Sequence, residues 1–134
     1  MLPEQLNPGA LPDDQLTIPH CKELLAHFQT WLQQQFEEQK DVLSLVIARS
    51  DFTDQLLKRL WQKFGLDKHS SLALIAVGGY GRHELHPHSD IDILVLSQKN
   101  ITPQQGETIS QFLTLLWDLR LDIGHAVRTL KECI

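Results

Sequence analysis

Asp90 and Asp92 stand two residues apart in the run Ser89-Asp90-Ile91-Asp92-Ile93-Leu94-Val95-Leu96. On a β-strand, positions i and i+2 share a face, so both carboxylates point one way while Ile91, Ile93 and Val95 point into a core. Earlier in the chain, the apolar run Ser71 to Val77 (SLALIAV) has the length and bounded ends of a buried strand, and Gly78-Gly79 ends it, with ten residues between Gly79 and Asp90. Paired glycines remove side chains where backbone amides must approach an anion closely. Two carboxylates on one face, opposite a bare glycine turn, make a site for hard cations and phosphates. Set between two apolar strands, this combination weighs against a plain surface pair of aspartates.

Other polar groups nearby have weaker claims. Arg82 can grip a phosphate with its planar guanidinium or bridge to Glu84. Ser89 can bind phosphate or cap the local turn. His83, His86 and His88 invite a zinc reading, but their spacing fits no zinc motif, and neutral loop histidines are the simpler account.

The elements that must hold this site can be read along the chain. Residues 1–16 contain three prolines and Gly9 and read as an irregular or mobile arm. Residues 17–65 form a helical segment. From about Pro19, apolar residues recur at Cys21, Leu24, Leu25, Phe28, Trp31, Leu32 and Phe36, and again at Val42, Leu45 and Val46. Ser50 is placed as the cap of a second helix in which Phe52, Leu56, Leu57, Leu60, Trp61 and Phe64 share a face, and Gly65 stops it. Residues 66–134 carry the strands. Thr102-Pro103-Gln104-Gln105 is a capping box with proline in the first turn. It opens an amphipathic helix through Ile109, Phe112, Leu113 and Leu116 to near Arg120. Leu121, Ile123, His125 and Val127 then alternate with Asp122, Gly124, Ala126 and Arg128, which predicts a third strand with His125 on the apolar face. Thr129 to Glu132 is a second capping box, opening a helix that the sequence does not complete.

The string GGYGRHELHPHSDIDILVL, together with LWDLRLDIGHAVRTLKEC, resembles the nucleotidyltransferase region of the bifunctional PII uridylyltransferase/uridylyl-removing enzymes. These belong to the polymerase-β-type nucleotidyltransferase superfamily. The likeness is strong over Leu72 to Cys133 and weak over the first sixty residues. Tyr80 stands where many members of the superfamily have serine. The resemblance implies an α+β fold in which a helical N-terminal segment precedes a small mixed sheet, truncated at its C-terminus. It implies UMP transfer from UTP to a tyrosine of the PII signalling protein, with Asp90 and Asp92 holding two Mg²⁺ ions (Mn²⁺ as a substitute). Gly78 and Gly79 would seat the triphosphate; Arg82, Ser89, His125 and Arg128 would line the substrate site. A third carboxylate is left open between Asp118, Asp122 and a residue beyond 134. The same likeness implies a fragment lacking the hydrolase and ACT domains of the longer enzymes.

Composition sets outer bounds. The 134 residues suffice for one domain with a modest core. A net charge of −5 gives no basic surface for nucleic acid. Cys21 and Cys133 lack metal spacing, and no apolar run reaches membrane-spanning length, so a reduced cytoplasmic setting is expected. Two alternatives remain beside the transferase: a nucleotide-binding or partner-docking module without turnover, and a nucleotidyltransferase of another branch. So small a sheet under so much helix also predicts marginal folding and self-association.

Overall fold

The computed structural model describes residues 2–12, 14, 16–38, 40–77 and 91–133. Two long helices come first, α1 (Ile18–Glu37) and α2 (Val42–Lys63). Strands β1 (Leu72–Val77) and β2 (Ile91–Ser97) follow, then α3 (Pro103–Asp118), β3 (Ile123–Thr129) and the short α4 (Leu130–Cys133). The fold is α+β with a mixed sheet, as expected from the sequence.

Thr17 caps α1 with its hydroxyl, which accepts the His20 N–H, and Pro19 occupies the first turn. The break between the helices differs from expectation. It falls at residues 38–41, and Asp41 caps α2 by accepting the Leu43 N–H at 3.3 Å. Ser50 lies fully buried inside α2 rather than at its start. Its small side chain fits a crowded helix interior, and no proline or glycine interrupts the chain there, so α2 runs on through it. Phe28 and Phe52 stack at 4.0 Å between centroids and join α1 to α2.

Gly65 ends α2 at φ 71°, and its N–H is donated to the Gln62 carbonyl. That is the left-handed stop that glycine serves without strain. Nothing lies within 4 Å of a Cβ built there. Gly65→Ala is therefore expected to lose about 1 kcal/mol through backbone strain alone, readable as a lower urea midpoint with an unchanged slope.

The N-terminal arm is irregular but docked. Two 3-10 turns dock on the helices, Glu4–Leu6 against α1 and Pro8–Ala10 against α2, with Leu6, Pro8 and Leu16 buried. Arg59 donates to the Leu11 carbonyl at 2.7 Å, and the Lys63 ammonium donates to the Leu16 carbonyl. Two basic side chains of α2 thus strap the arm by its backbone, a role that gives no apolar periodicity in the arm itself.

In the sheet, β1 pairs antiparallel with β2, and β2 pairs parallel with β3, so β2 is central. One face carries Leu72, Leu74 and Ala76, then Ile91, Ile93, Val95 and Ser97, then Ile123 and Val127. It lies on the core built from Leu56, Leu57, Leu60 and Trp61 of α2 and Phe112, Leu113 and Leu116 of α3. This is a sheet covered by helices on one side. Phe112, wholly buried, sits edge-on to Trp61 (5.4 Å) and Phe64 (6.2 Å) and locks α3 to α2.

Both capping boxes form. At Thr102 the hydroxyl accepts the Gln105 N–H while the Gln105 amide oxygen accepts the Thr102 N–H, each at 3.1 Å. At Thr129 the backbone N–H and the hydroxyl both donate to Glu132 Oε1, at 2.8 and 3.0 Å. Those bonds, the backbone one first, hold the Glu132 carboxyl below its ordinary value, with Arg128 adding a smaller pull. A lowered carboxyl value means that the cap's contribution is full above the ordinary glutamate value of the unfolded chain. It is lost as pH falls through the lower folded value. Titrating the Glu132 carboxyl carbon and following Thr129 amide exchange by NMR checks this; the expected result is local fraying of α4 in acid.

Candidate nucleotide and cation site

The site begins with Asp92, the second residue of β2. Its cross-strand partner on β1 is Val77, the last residue before Gly78 in the sequence. On its other side it pairs with Gly124 of β3. The burial alternation along β2 keeps Ile91, Ile93, Val95 and Ser97 inside and leaves Asp92, Leu94 and Leu96 half-buried on the opposite face. The apolar half of the strand thus fixes the direction of the carboxylate. Because β2 has a hydrogen-bonded neighbour on each side, that direction is set by a rigid central element.

The carboxylate lies over Gly124. A Cβ added at residue 124 would fall inside 3.0 Å of Asp92 Oδ1 and 3.6 Å from Cγ. Only a position without a side chain leaves that oxygen where it is. The sequence singled out the glycines before the loop for their bareness, but not Gly124, because its relation to Asp92 exists only in the parallel register.

The remaining candidates divide. Gly78, Gly79, Arg82, Ser89 and Asp90 lie outside the described residues, as do His83, His86 and His88. Arg128 shares the alternation of Asp92 and Gly124, pairing with Leu96, and is exposed. It stands about 13 Å along β3 from Gly124 at about 3.3 Å per residue, and its guanidinium donates to the Val127 carbonyl at 2.9 Å. His125 pairs with Ile93 and so lies on the other alternation from Asp92. Its side chain is exposed rather than packed among the apolar residues, because it stands on the sheet's outer strand. Its ring meets Trp117 of α3 edge-on at 5.3 Å.

The two carboxylates considered as further ligands are also separated by the fold. Asp118 ends α3 and lines an open groove with Ile18, Lys63 and Phe64. Asp122 precedes β3, and its carbonyl accepts the Ile91 N–H at 2.8 Å. Its charge acts on Arg49 of α2: burial lowers the Arg49 pKa and Asp122 opposes that shift. Among the described residues, no cluster of three or more His, Cys, Asp or Glu side chains is placed to hold a metal. Asp92 is thus the one described member of the predicted carboxylate pair. Cys21 is buried inside the helical half, and burial pushes its thiol pKa up, which makes it inert. No helix among the described residues is long and apolar enough to cross a membrane.

Comparison with known proteins adds the following. Residues 53–132 match the nucleotidyltransferase domain family. The bifunctional uridylyltransferase/uridylyl-removing enzyme of Vibrio cholerae serotype O1 is 52% identical over 127 residues, 95% of this chain and 14% of that protein. The enzyme of the same name from Photobacterium profundum is 47% identical over 96% of this chain and 15% of its own length. The chain therefore spans about one seventh of the length of these relatives. No solved structure matches it.

Proposed function

Because this chain belongs to the nucleotidyltransferase domain family, we propose that it supplies the nucleotide- and cation-holding part of a uridylyltransferase. The reaction is UMP transfer from UTP to a tyrosine hydroxyl of the PII nitrogen-regulatory protein, with release of pyrophosphate, in the cytoplasm. The observation that carries this reading is the position of Asp92. A carboxylate projects from the central strand, beside the end of β1 where the sequence turns into Gly78-Gly79, and lies over the bare backbone of Gly124. The names and identities of the relatives favour uridylyl transfer over other nucleotidyl chemistry.

The donor chemistry fits magnesium. A carboxylate oxygen on a rigid strand is the ligand a hard cation takes, and the cradle at Gly124 leaves that oxygen unobstructed on its strand side. When bound, Mg²⁺ ions neutralise charge building on the attacking oxygen and on the pyrophosphate leaving group. Asp92, joined by Asp90 two residues earlier in the sequence, would hold them. The backbone of Gly78 and Gly79 would take the β and γ phosphates, and Arg82 and Ser89 would add polar contacts to them. Arg128 lies on the Asp92 side of the sheet, suited to the far end of a bound substrate. His125, with Trp117, offers an aromatic edge on the other side, where it would touch the acceptor protein.

Calorimetric titration of UTP, ATP, CTP and GTP, each with and without Mg²⁺, tests this. The expected result is Mg²⁺-dependent binding that favours UTP, followed by label transfer from α-³²P-UTP to PII. Equal affinity for all four nucleotides points to another branch of the family. Binding without transfer points to a module that holds nucleotide and leaves turnover elsewhere.

A further inference from the structure

Glycine inside a strand weakens it, since it packs nothing and costs more backbone entropy on folding than any other residue. Gly124 nevertheless sits in the body of β3, hydrogen-bonded in register with the central strand. Its backbone does not require it: among the described glycines only Gly65 has a positive φ. What requires it is space. A methyl group there would meet Asp92 Oδ1 closer than real Cβ atoms approach any neighbour. The atom it would meet is the far end of a short side chain that can rotate about χ1. The fold can therefore absorb the methyl, but only by turning the carboxylate away.

We propose that Gly124 is a positioning residue for Asp92: its missing side chain is the seat that fixes the direction in which the carboxylate faces. The proposal rests on the reading of Asp92 as the cation-holding carboxylate, and it adds a determinant from a strand about thirty residues away. The orientation of Asp92 is then set by a neighbouring strand, and the same carboxylate without a bare position opposite it would present its oxygens differently.

The experiment compares wild type, Gly124→Ala, Asp92→Asn, Asp92→Ala and the double variant Asp92→Ala/Gly124→Ala in this chain. NMR three-bond couplings report the χ1 angle of Asp92, Mn²⁺ relaxation enhancement reports cation affinity, and thermal melts report folding. Gly124→Ala is expected to move Asp92 to another χ1 rotamer and to weaken Mn²⁺ by at least about 10-fold, the scale of losing a group that orients a metal ligand. In the Asp92→Ala background, where the opposing oxygen is gone, the added methyl is expected to leave the melting temperature unchanged. An unmoved χ1 in Gly124→Ala overturns the proposal, whatever Mn²⁺ does. Should Gly124→Ala not fold, folding of the double variant supports the contact with Asp92, and its failure overturns it. Unchanged Mn²⁺ affinity in Asp92→Asn instead overturns the cation-holding role of Asp92, while χ1 still decides the role of Gly124.

Discussion

Asp92→Asn is expected to reduce Mg²⁺-dependent nucleotide affinity by at least about 100-fold, because losing a group that merely orients a metal ligand already costs 10–100-fold. The substitution keeps the shape of the side chain and removes its charge. The half-buried position on β2, facing away from the apolar core, means that little packing changes. Changes away from core features usually fall within about 0.5 kcal/mol, so the melting temperature is expected to move by no more than about two degrees. The pairing of a large binding loss with an unmoved melt is the signature of a ligand-holding group. A loss of affinity accompanied by a large fall in melting temperature would assign Asp92 a structural role instead. Titrations with and without Mg²⁺ separate the two further, because a direct contact to the nucleotide alone would be lost equally in both.

Phe112→Ala is expected to have the largest effect on folding. The ring is fully buried and edge-on to Trp61 and Phe64, and it lies where α2 and α3 meet above the sheet. Removing it opens a cavity whose walls belong to two helices held apart by their other contacts, so collapse is incomplete. Such a change costs about 3–5 kcal/mol, against a total of about 5–15 kcal/mol for a domain. For a chain of this size that amounts to a fall of about 10–20 °C in melting temperature. Phe36→Ala is the control: that ring is 61% exposed, and its removal is expected to leave the melt almost unchanged. Equal effects at the two positions would mean that the aromatic contacts of Phe112 do not hold α3 in place.

The sequence spoke most clearly where structure follows from local side-chain chemistry. The Thr102 and Thr129 capping boxes needed only residues three positions apart, and both form. The alternation in β2 needed only the period of a strand. Local chemistry failed at the boundary between α1 and α2. Asp41 and Ser50 are both competent caps, and tertiary burial decided that Ser50 belongs in the helix interior while Asp41 takes the cap. The docked arm escaped notice because its anchors, Arg59 and Lys63, bond to backbone carbonyls, which leave no mark on side-chain pattern. His125 fitted an apolar alternation in sequence, yet its strand lies at the margin of the described sheet, where its ring is exposed and meets Trp117 edge-on. Gly124 required the register of a parallel pair, which no local pattern encodes.

That parallel register also shapes how the chain folds. Parallel neighbours cannot be joined by a tight turn, so the chain must leave β2, build α3, and return before Gly124 can be set beside Asp92. Closing so long a loop is opposed by entropy until α3 has docked on the helices already present. The helical half, rich in contacts between residues near in sequence, can form early, whereas the Asp92 carboxylate can come to lie over Gly124 only once β3 is laid down. A nascent chain emerging from a ribosome would therefore hold α1 and α2 complete before Asp92 could meet Gly124, because that contact has to wait for β3 to return beside β2.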